Sequence, residues 1–203
     1  MKQQIILIHG GESWKTHEEY IDYLKNSPVD LESLRLERKG WKDNLAEHLG
    51  ADFDVIFPEM PCWMNSKYAE WKIWFEKIAA LIDDGTILVG HSLGGIFLAE
   101  YFAEINFTKK VKAIFLIAAP YASVASNKEM GDFMLPNDIS KIQEQCPCVF
   151  IYQSKDDPVV PFADALHYAA ALPKAKLITF EENGHFRQAE FPELVQQIKE
   201  LVK

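Results

Sequence analysis

The stretch Thr86-Ile-Leu-Val-Gly-His-Ser-Leu-Gly-Gly-Ile-Phe-Leu-Ala99 changes its hydrophobic pattern halfway along. Ile87, Leu88 and Val89 form a short apolar run of the kind that makes a parallel strand buried on both faces. From Ile96 the pattern Ile-Phe-Leu-Ala-Glu-Tyr-Phe-Ala reads as a buried helix. A strand therefore gives way to a helix within a few residues, and Gly90-His91-Ser92-Leu93-Gly94 stands at the turn. The spacing is Gly-x-Ser-x-Gly, the pattern of a nucleophile elbow, in which a serine occupies a sharp, strained turn. Side chains two positions away on either side would collide there, and glycine removes them. The competing reading, a glycine-rich turn whose serine only caps a helix, does not require glycine on both sides.

Working outward, apolar runs and helical patterns alternate along the whole chain. Strands are expected at residues 3–9, 53–57, 87–89, 111–118, 148–153 and 176–180. Helices are expected at 16–26, 40–49, 66–82, 93–105, 137–145, 162–172 and 190–202. In the helix at 66–82, Ser66 is the expected N-cap, and Trp71, Trp74, Phe75, Ile78 and Leu81 form an apolar stripe suited to core packing. Strands alternating with helices specify a parallel sheet with helices on both faces, a three-layer α/β/α sandwich. With 203 residues and no linker, repeat or low-complexity segment, residues 1–203 read as a single domain. The long connection 13–39 and the irregular stretch 122–136 are candidates for a lid over the carboxyl edge of the sheet.

Composition narrows the partners. A net charge of −9 without a Lys/Arg cluster argues against nucleic acid and anionic membrane surfaces. No apolar run approaches the ~18 residues of a membrane-spanning helix. Ile5 to Ile8 leads straight into His9-Gly10-Gly11 rather than to a cleavage site, so a cytoplasmic protein is expected. The three cysteines, Cys62, Cys146 and Cys148, are too few and too poorly spaced for a disulfide framework or a zinc site. Cys146-Pro-Cys148 reads as a pair of core thiols at a strand entrance.

A serine hydroxyl becomes a useful nucleophile only when a base takes its proton, and the base needs a partner that fixes its tautomer. Both should lie on loops at the carboxyl edge, where the elbow puts Ser92. Of the six histidines, His17, His48 and His167 fall on helical or connecting segments, His91 lies inside the elbow and His9 ends the first strand. His185 follows Gly184 in the loop after the last strand and is the candidate base. Ser154 to Pro161 brings Asp156 and Asp157 to the same edge. Asp157 precedes Pro158, which holds it extended and favours it as the orienting acid, but spacing alone leaves Asp156 open. The order Ser92, Asp157, His185 is the α/β-hydrolase order. Around these, His9, Gly10, His91, Cys62, Trp63, Tyr121 and Val159 are candidate pocket residues, the apolar loop 58–64 forming one wall.

Gly90-His91-Ser92-Leu93-Gly94-Gly95, the stretch Ser154 to Pro161 and Asn183-Gly184-His185-Phe186 together resemble the compact serine hydrolases of the α/β-hydrolase superfamily, the family that includes retinoblastoma-binding protein nine. The resemblance spans the chain in strand order and is closest over residues 86–203, while 13–39 is longer than the family pattern. It implies a minimal α/β-hydrolase fold with a six-stranded sheet ordered 2-1-3-4-5-6. It also implies Ser92, Asp157 and His185 as nucleophile, acid and base, and an oxyanion hole from the backbone N–H groups of Leu93 and Gly11, with Gly10 as neighbour. The implied activity is hydrolysis of a small-molecule ester or amide without cofactor or metal, by a monomer or weak homodimer. The protein-binding role that one member of the family performs through a Leu-x-Cys-x-Glu segment is not expected here, because Met60, Glu144 and Cys146 stand two residues before the three cysteines. Two other functions use the same scaffold. One is an interaction protein that has lost turnover, which a missing triad member would reveal. The other is acyl transfer or carbon–carbon hydrolysis, which fold and triad do not separate from ester hydrolysis.

Overall fold

The computed structural model describes residues 2–31, 40–122 and 130–203. Six parallel strands form one sheet: β1 (Gln3–Ile8), β2 (Phe53–Ile56), β3 (Thr86–His91), β4 (Val111–Ile117), β5 (Val149–Ser154) and β6 (Lys176–Phe180), in the order β2-β1-β3-β4-β5-β6. This is the α/β-hydrolase strand order anticipated above. The helices among the described residues are α1 (His17–Asn26), α2 (Trp41–Leu49), α3 (Tyr68–Ala79), α4 (Leu93–Glu104), α5 (Lys141–Gln145), α6 (Phe162–Ala171) and α7 (Pro192–Glu200).

The strict alternation of strand side chains divides the core in two. Ile6, Ile8, Leu88, Ile114, Leu116 and Ile151 point to one face and pack on α3, α4, α5 and α6 through residues such as Trp71, Phe75, Phe97, Ile142 and Tyr168. Ile5, Leu7, Ile87, Val89, Phe115 and Ile117 point to the other and meet Trp41, Leu45 and Leu49 of α2 and Leu194 and Ile198 of α7. Central strands buried on both faces explain why their sequences are unbroken apolar runs. Helix α1 buries no residue; its N-terminus is fixed locally by a Thr16–Glu19 capping box and its C-terminus by the Ser27 N–H on the Tyr23 carbonyl.

From β1 the chain runs outward to β2 and then returns across β1 to β3, so the order in which strands are added reverses between β1 and β3, while the strands themselves stay parallel. Open parallel sheets bind ligands beyond the carboxyl ends of the strands at such a point. Residues 9–11, 91–92, 155–160 and 181–187 all lie at this edge, at or immediately after the ends of β1, β3, β5 and β6.

Two helices are shorter than expected. The helix expected over 66–82 spans only Tyr68–Ala79, with Lys67 at its N-cap. The Ser66 hydroxyl turns back to the Cys62 and Trp63 carbonyls instead. In its stripe Trp71 and Phe75 are fully buried, but Trp74 is 43% exposed, and Leu81, beyond the helix end, is 81% exposed. The helix expected over 137–145 is confined to Lys141–Gln145. The proposed lid segments 13–39 and 122–136 fall in part on 32–39 and 123–129, outside the described residues. Cys146 is buried with its thiol donating to the Cys148 carbonyl, and burial pushes that thiol up to about 12. No helix among the described residues is long and apolar enough to cross a membrane.

Candidate active site

Ser92 sits between β3 and α4 at φ 55°, ψ −121°, a backbone conformation that costs a non-glycine residue roughly 1–3 kcal/mol. Its N–H donates to the Ile117 carbonyl (2.8 Å), and its carbonyl accepts from Gly95 (2.8 Å), so the turn is held from β4 and from its own helix. The flanking glycines are required by close approach. A Cβ on Gly90 would overlap the Gly94 carbonyl oxygen, and one on Gly94 would overlap the Ile8 carbonyl oxygen and lie 2.6 Å from that of His9. A Cβ on Gly95 would lie 2.6 Å from Ala119 Cβ. The second glycine of the motif is thus dictated by β1 as much as by the serine, because the first turn of α4 packs directly on the end of that strand.

Across the crevice, His185 is bracketed by two left-handed residues, Gly184 (φ 50°) and Phe186 (φ 51°), which swing the loop after β6 back over the elbow. Phe186 tolerates this because its ring is fully buried between Phe180 and Phe191. His185 Nε2 lies 3.0 Å from Ser92 Oγ, and Nδ1 lies 2.9 Å and 3.1 Å from the two carboxylate oxygens of Asp157. The Asp157 side chain is completely buried, and it accepts further bonds from the backbone N–H groups of Val159 (2.8 Å) and Val160 (3.0 Å) and from the Gln153 amide (3.1 Å). With the carboxylate on Nδ1, that nitrogen carries the ring proton and Nε2 is left as the acceptor facing Ser92. Burial lowers the His185 pKa below its ordinary value, a tendency opposed by the Asp157 hydrogen bond and charge and reinforced by Arg187 and Lys42.

Asp156 and Asp157, adjacent in sequence, do different work. Asp156 points away from the His185 ring. Its Oδ1 accepts from the Ser154 hydroxyl (2.5 Å) and from the Gly184 N–H (2.9 Å), and these bonds hold its carboxyl below the usual range. Ser154 Oγ in turn accepts from the Asn183 N–H (2.9 Å). The same loop is held on its other side by residues distant in sequence. The Trp41 indole N–H donates to the Phe186 carbonyl (2.9 Å), the Trp41 backbone N–H to Gln188 (3.0 Å), and His91 Nε2 to the His185 carbonyl (2.9 Å).

The remaining candidates divide. His9, Gly10, Gly11, Cys62, Trp63, His91 and Val159 line one crevice of about 1190 Å³ together with Ser92 and His185. Gly10 lies against Ser92, since a Cβ there would be 3.1 Å from Ser92 Cβ and 3.6 Å from Oγ. His9 is a structural member of the wall. Its Nε2 accepts the Met60 N–H (2.8 Å), which leaves the proton on Nδ1 facing the Gly10 carbonyl, and burial lowers its pKa. Tyr121 is placed elsewhere, its ring on Tyr168 (4.8 Å) and His167 (5.4 Å) of α6, and Pro120 lines the crevice in its stead. Residues that the sequence did not suggest as pocket residues also line it, among them the apolar Phe57, Trp74 and Met130 and the cationic Lys42 and Arg187. Trp74 carried a signal, a large apolar residue at the margin of the α3 stripe. Lys42 and Arg187 carried none. Among the described residues no group of three His, Cys, Asp or Glu side chains is disposed to hold a metal ion.

Comparison with known proteins bears on the family and the fold. A family model described as "Serine hydrolase" matches residues 36–202. Serine hydrolase RBBP9 of Rattus norvegicus is 31% identical over 165 residues, which cover 80% of this chain and 85% of that protein. The putative hydrolase YdeN of Bacillus subtilis is 24% identical over 191 residues, covering 94% and 89%. The crystal structure of the ydeN gene product superposes with a TM-score of 0.72 at 19% identity, covering 99% of both chains.

Proposed function

Because this chain belongs to the serine hydrolase family, we propose that it cleaves small carboxylic esters or amides through an acyl-enzyme on Ser92, with residues 1–203 acting as one catalytic domain. The observation that carries the proposal is the unbroken line of hydrogen bonds from Ser92 Oγ through the His185 ring to a buried Asp157.

In this reading His185 Nε2 takes the proton from Ser92 Oγ as the oxygen attacks the substrate carbonyl. Asp157 keeps Nδ1–H oriented and stabilises the imidazolium that forms. Negative charge moves to the carbonyl oxygen. The donors assigned to it are the N–H of Leu93, at the positive N-terminal end of α4, and the N–H of Gly11 beside Gly10. His185 then returns its proton to the leaving alkoxide or amine, the C–O or C–N bond breaks, and the acyl group remains on Ser92. In the second half His185 takes a proton from water, the hydroxide attacks the acyl carbon, and Ser92 leaves with the proton restored. Carboxylic acid and free enzyme result. No cofactor or metal enters the scheme.

The pocket supports an apolar acyl group. Phe57, Met60, Trp63, Trp74, Met130 and Val159 contribute hydrocarbon to the lining of the crevice. Hydrolysis of p-nitrophenyl esters of increasing acyl length tests the reading. The native protein is expected to turn over short and medium acyl chains, and Ser92→Ala to lose at least about a thousandfold in kcat/KM. Turnover retained by a folded Ser92→Ala protein contradicts it.

A further inference from the structure

Lys42 is half-buried and lines the crevice, and its ammonium is 3.2 Å from His91 Nδ1. His91 is buried, and its other nitrogen, Nε2, is 2.9 Å from the His185 carbonyl oxygen. A carbonyl can only accept, so Nε2 carries the ring proton. Nδ1 then offers a lone pair, and the lysine, which has only donors, fills it. Every bond in this chain therefore points the same way, from Lys42 on α2 through His91 at the end of β3 to the backbone of His185. The arm ends on the residue held between the left-handed Gly184 and Phe186.

Resting on the catalytic reading above, we propose that Lys42 is a positioning residue for His185, acting through His91: ammonium, imidazole and carbonyl form a one-way hydrogen-bonded arm that fixes the base-bearing loop over Ser92. The buried His91 ring suits an intermediary that stays neutral. Burial, then repulsion from Lys42 and His185, hold its pKa well below the ordinary value, so Nδ1 remains free to accept. Protonating His91 would set two positive groups donor to donor and break the arm at its centre.

The arm has a second consequence. Lys42 brings a positive charge toward His185 from α2, and Arg187 brings another from the base loop itself. Asp157 faces the ring from the loop after β5, and His91 faces it from β3. Around Lys42 the neighbouring charges are Asp43, Arg187 and, across His9, Glu59. Removing the Lys42 charge relieves repulsion on the His185 imidazolium, so the base protonates more readily and is lost at higher pH. A residue that merely fills space would not produce this.

The rate of covalent inactivation by a fluorophosphonate, followed from pH 4.5 to 9, reads both effects without knowledge of the natural substrate. In Lys42→Met the donor and the charge both go. The alkaline plateau is expected to fall about tenfold through loss of the charged hydrogen bond, and the midpoint of the acidic limb to move up by about half a pH unit or more. Lys42→Gln keeps an N–H donor within reach of His91 Nδ1 but has no charge. It should show the same displacement of the midpoint with a smaller loss at the plateau. Thermal unfolding of each variant verifies that the fold is retained. Profiles of both variants with the native midpoint, or equal plateau losses in the two with no displacement, overturn the proposal while leaving the catalytic reading intact, provided Ser92→Ala remains unlabelled. Native protein that takes no probe at any pH overturns both.

Discussion

At the elbow, Ser92 is held by backbone: strand β3 on one side, helix α4 on the other, and glycines whose missing side chains let the main chain of β1 and β4 close in. Across the crevice, His185 is held by side chains borrowed from elsewhere, namely Trp41 from α2, His91 from β3, and Ser154, Asp156 and Asp157 from the end of β5. The first arrangement leaves no room for adjustment, so its failure is all-or-none and coupled to folding. The second is a set of separable hydrogen bonds, each worth about 0.5–3 kcal/mol, so its failures should be graded and should appear in catalysis before they appear in stability.

That contrast can be broken most severely at Gly94. A methyl group there collides with the Ile8 and His9 carbonyl oxygens, which belong to a central strand and cannot retreat cheaply. Gly94→Ala is expected to lose more than about 3 kcal/mol of stability and all activity together, as read by denaturant unfolding and ester turnover. Asp157→Asn is next in severity, but in the opposite style. The amide keeps the shape and the bond from Gln153 can rearrange, while the His185 tautomer is no longer enforced. The rate constant kcat should drop by about a thousandfold or more with a midpoint of thermal unfolding close to native. A Gly94→Ala protein that folds normally but is inactive, or an Asp157→Asn protein that unfolds, would erase the distinction.

Smaller effects sharpen it. Trp41→Phe retains most of the aromatic packing on Phe191 but loses the indole bond to the Phe186 carbonyl, in a buried setting. It is expected to cost about 1–2 kcal/mol of stability and several-fold in kcat, with KM little changed. The smallest effect concerns pH. Because burial lowers the pKa of His185, its neutral, competent form persists below pH 6.5, and the acidic limb of kcat/KM should have its midpoint below that value. The stability sign follows from proton binding. Between the lowered folded pKa values of His185 and His91 and the unfolded value near 6.5, the unfolded chain binds more protons, so stability falls as pH drops through this window. Replacing His91 with glutamine should flatten that decline, as followed by urea midpoints at pH 5 and pH 7.

The same contrast explains how much could be read from the sequence. The six apolar runs, their order along the chain and the elbow are local patterns, since strand burial and glycine spacing are enforced within a few residues. Sequence order also brought Ser92, Asp157 and His185 into view, and the structure sets them within hydrogen-bond distance of one another. Spacing could not divide Asp156 from Asp157, because neighbouring residues reach the same edge and only the turn at Val159 and Val160, whose N–H groups bind Asp157, determines which carboxylate faces the ring. The clamp from α2 was invisible. Trp41 and Phe186 are 145 residues apart, and Lys42 and His91 are 49 apart, with no periodicity linking them. Helical spacing identified the buried face of α3 through Trp71 and Phe75 but not where that face runs out, so Trp74 read as core although it opens onto the crevice. Tyr121 was placed by its position after β4, and the Tyr168 ring of α6 takes it out of the crevice.

The most direct measurement is the intact mass of the protein after exposure to a fluorophosphonate, with the adduct mapped by peptide. The account predicts a single adduct on Ser92 in the native protein, none in Ser92→Ala, and labelling slowed by orders of magnitude in a folded His185→Ala protein. Folded native protein that acquires no adduct, or an adduct that maps to another residue and persists in Ser92→Ala, would contradict it.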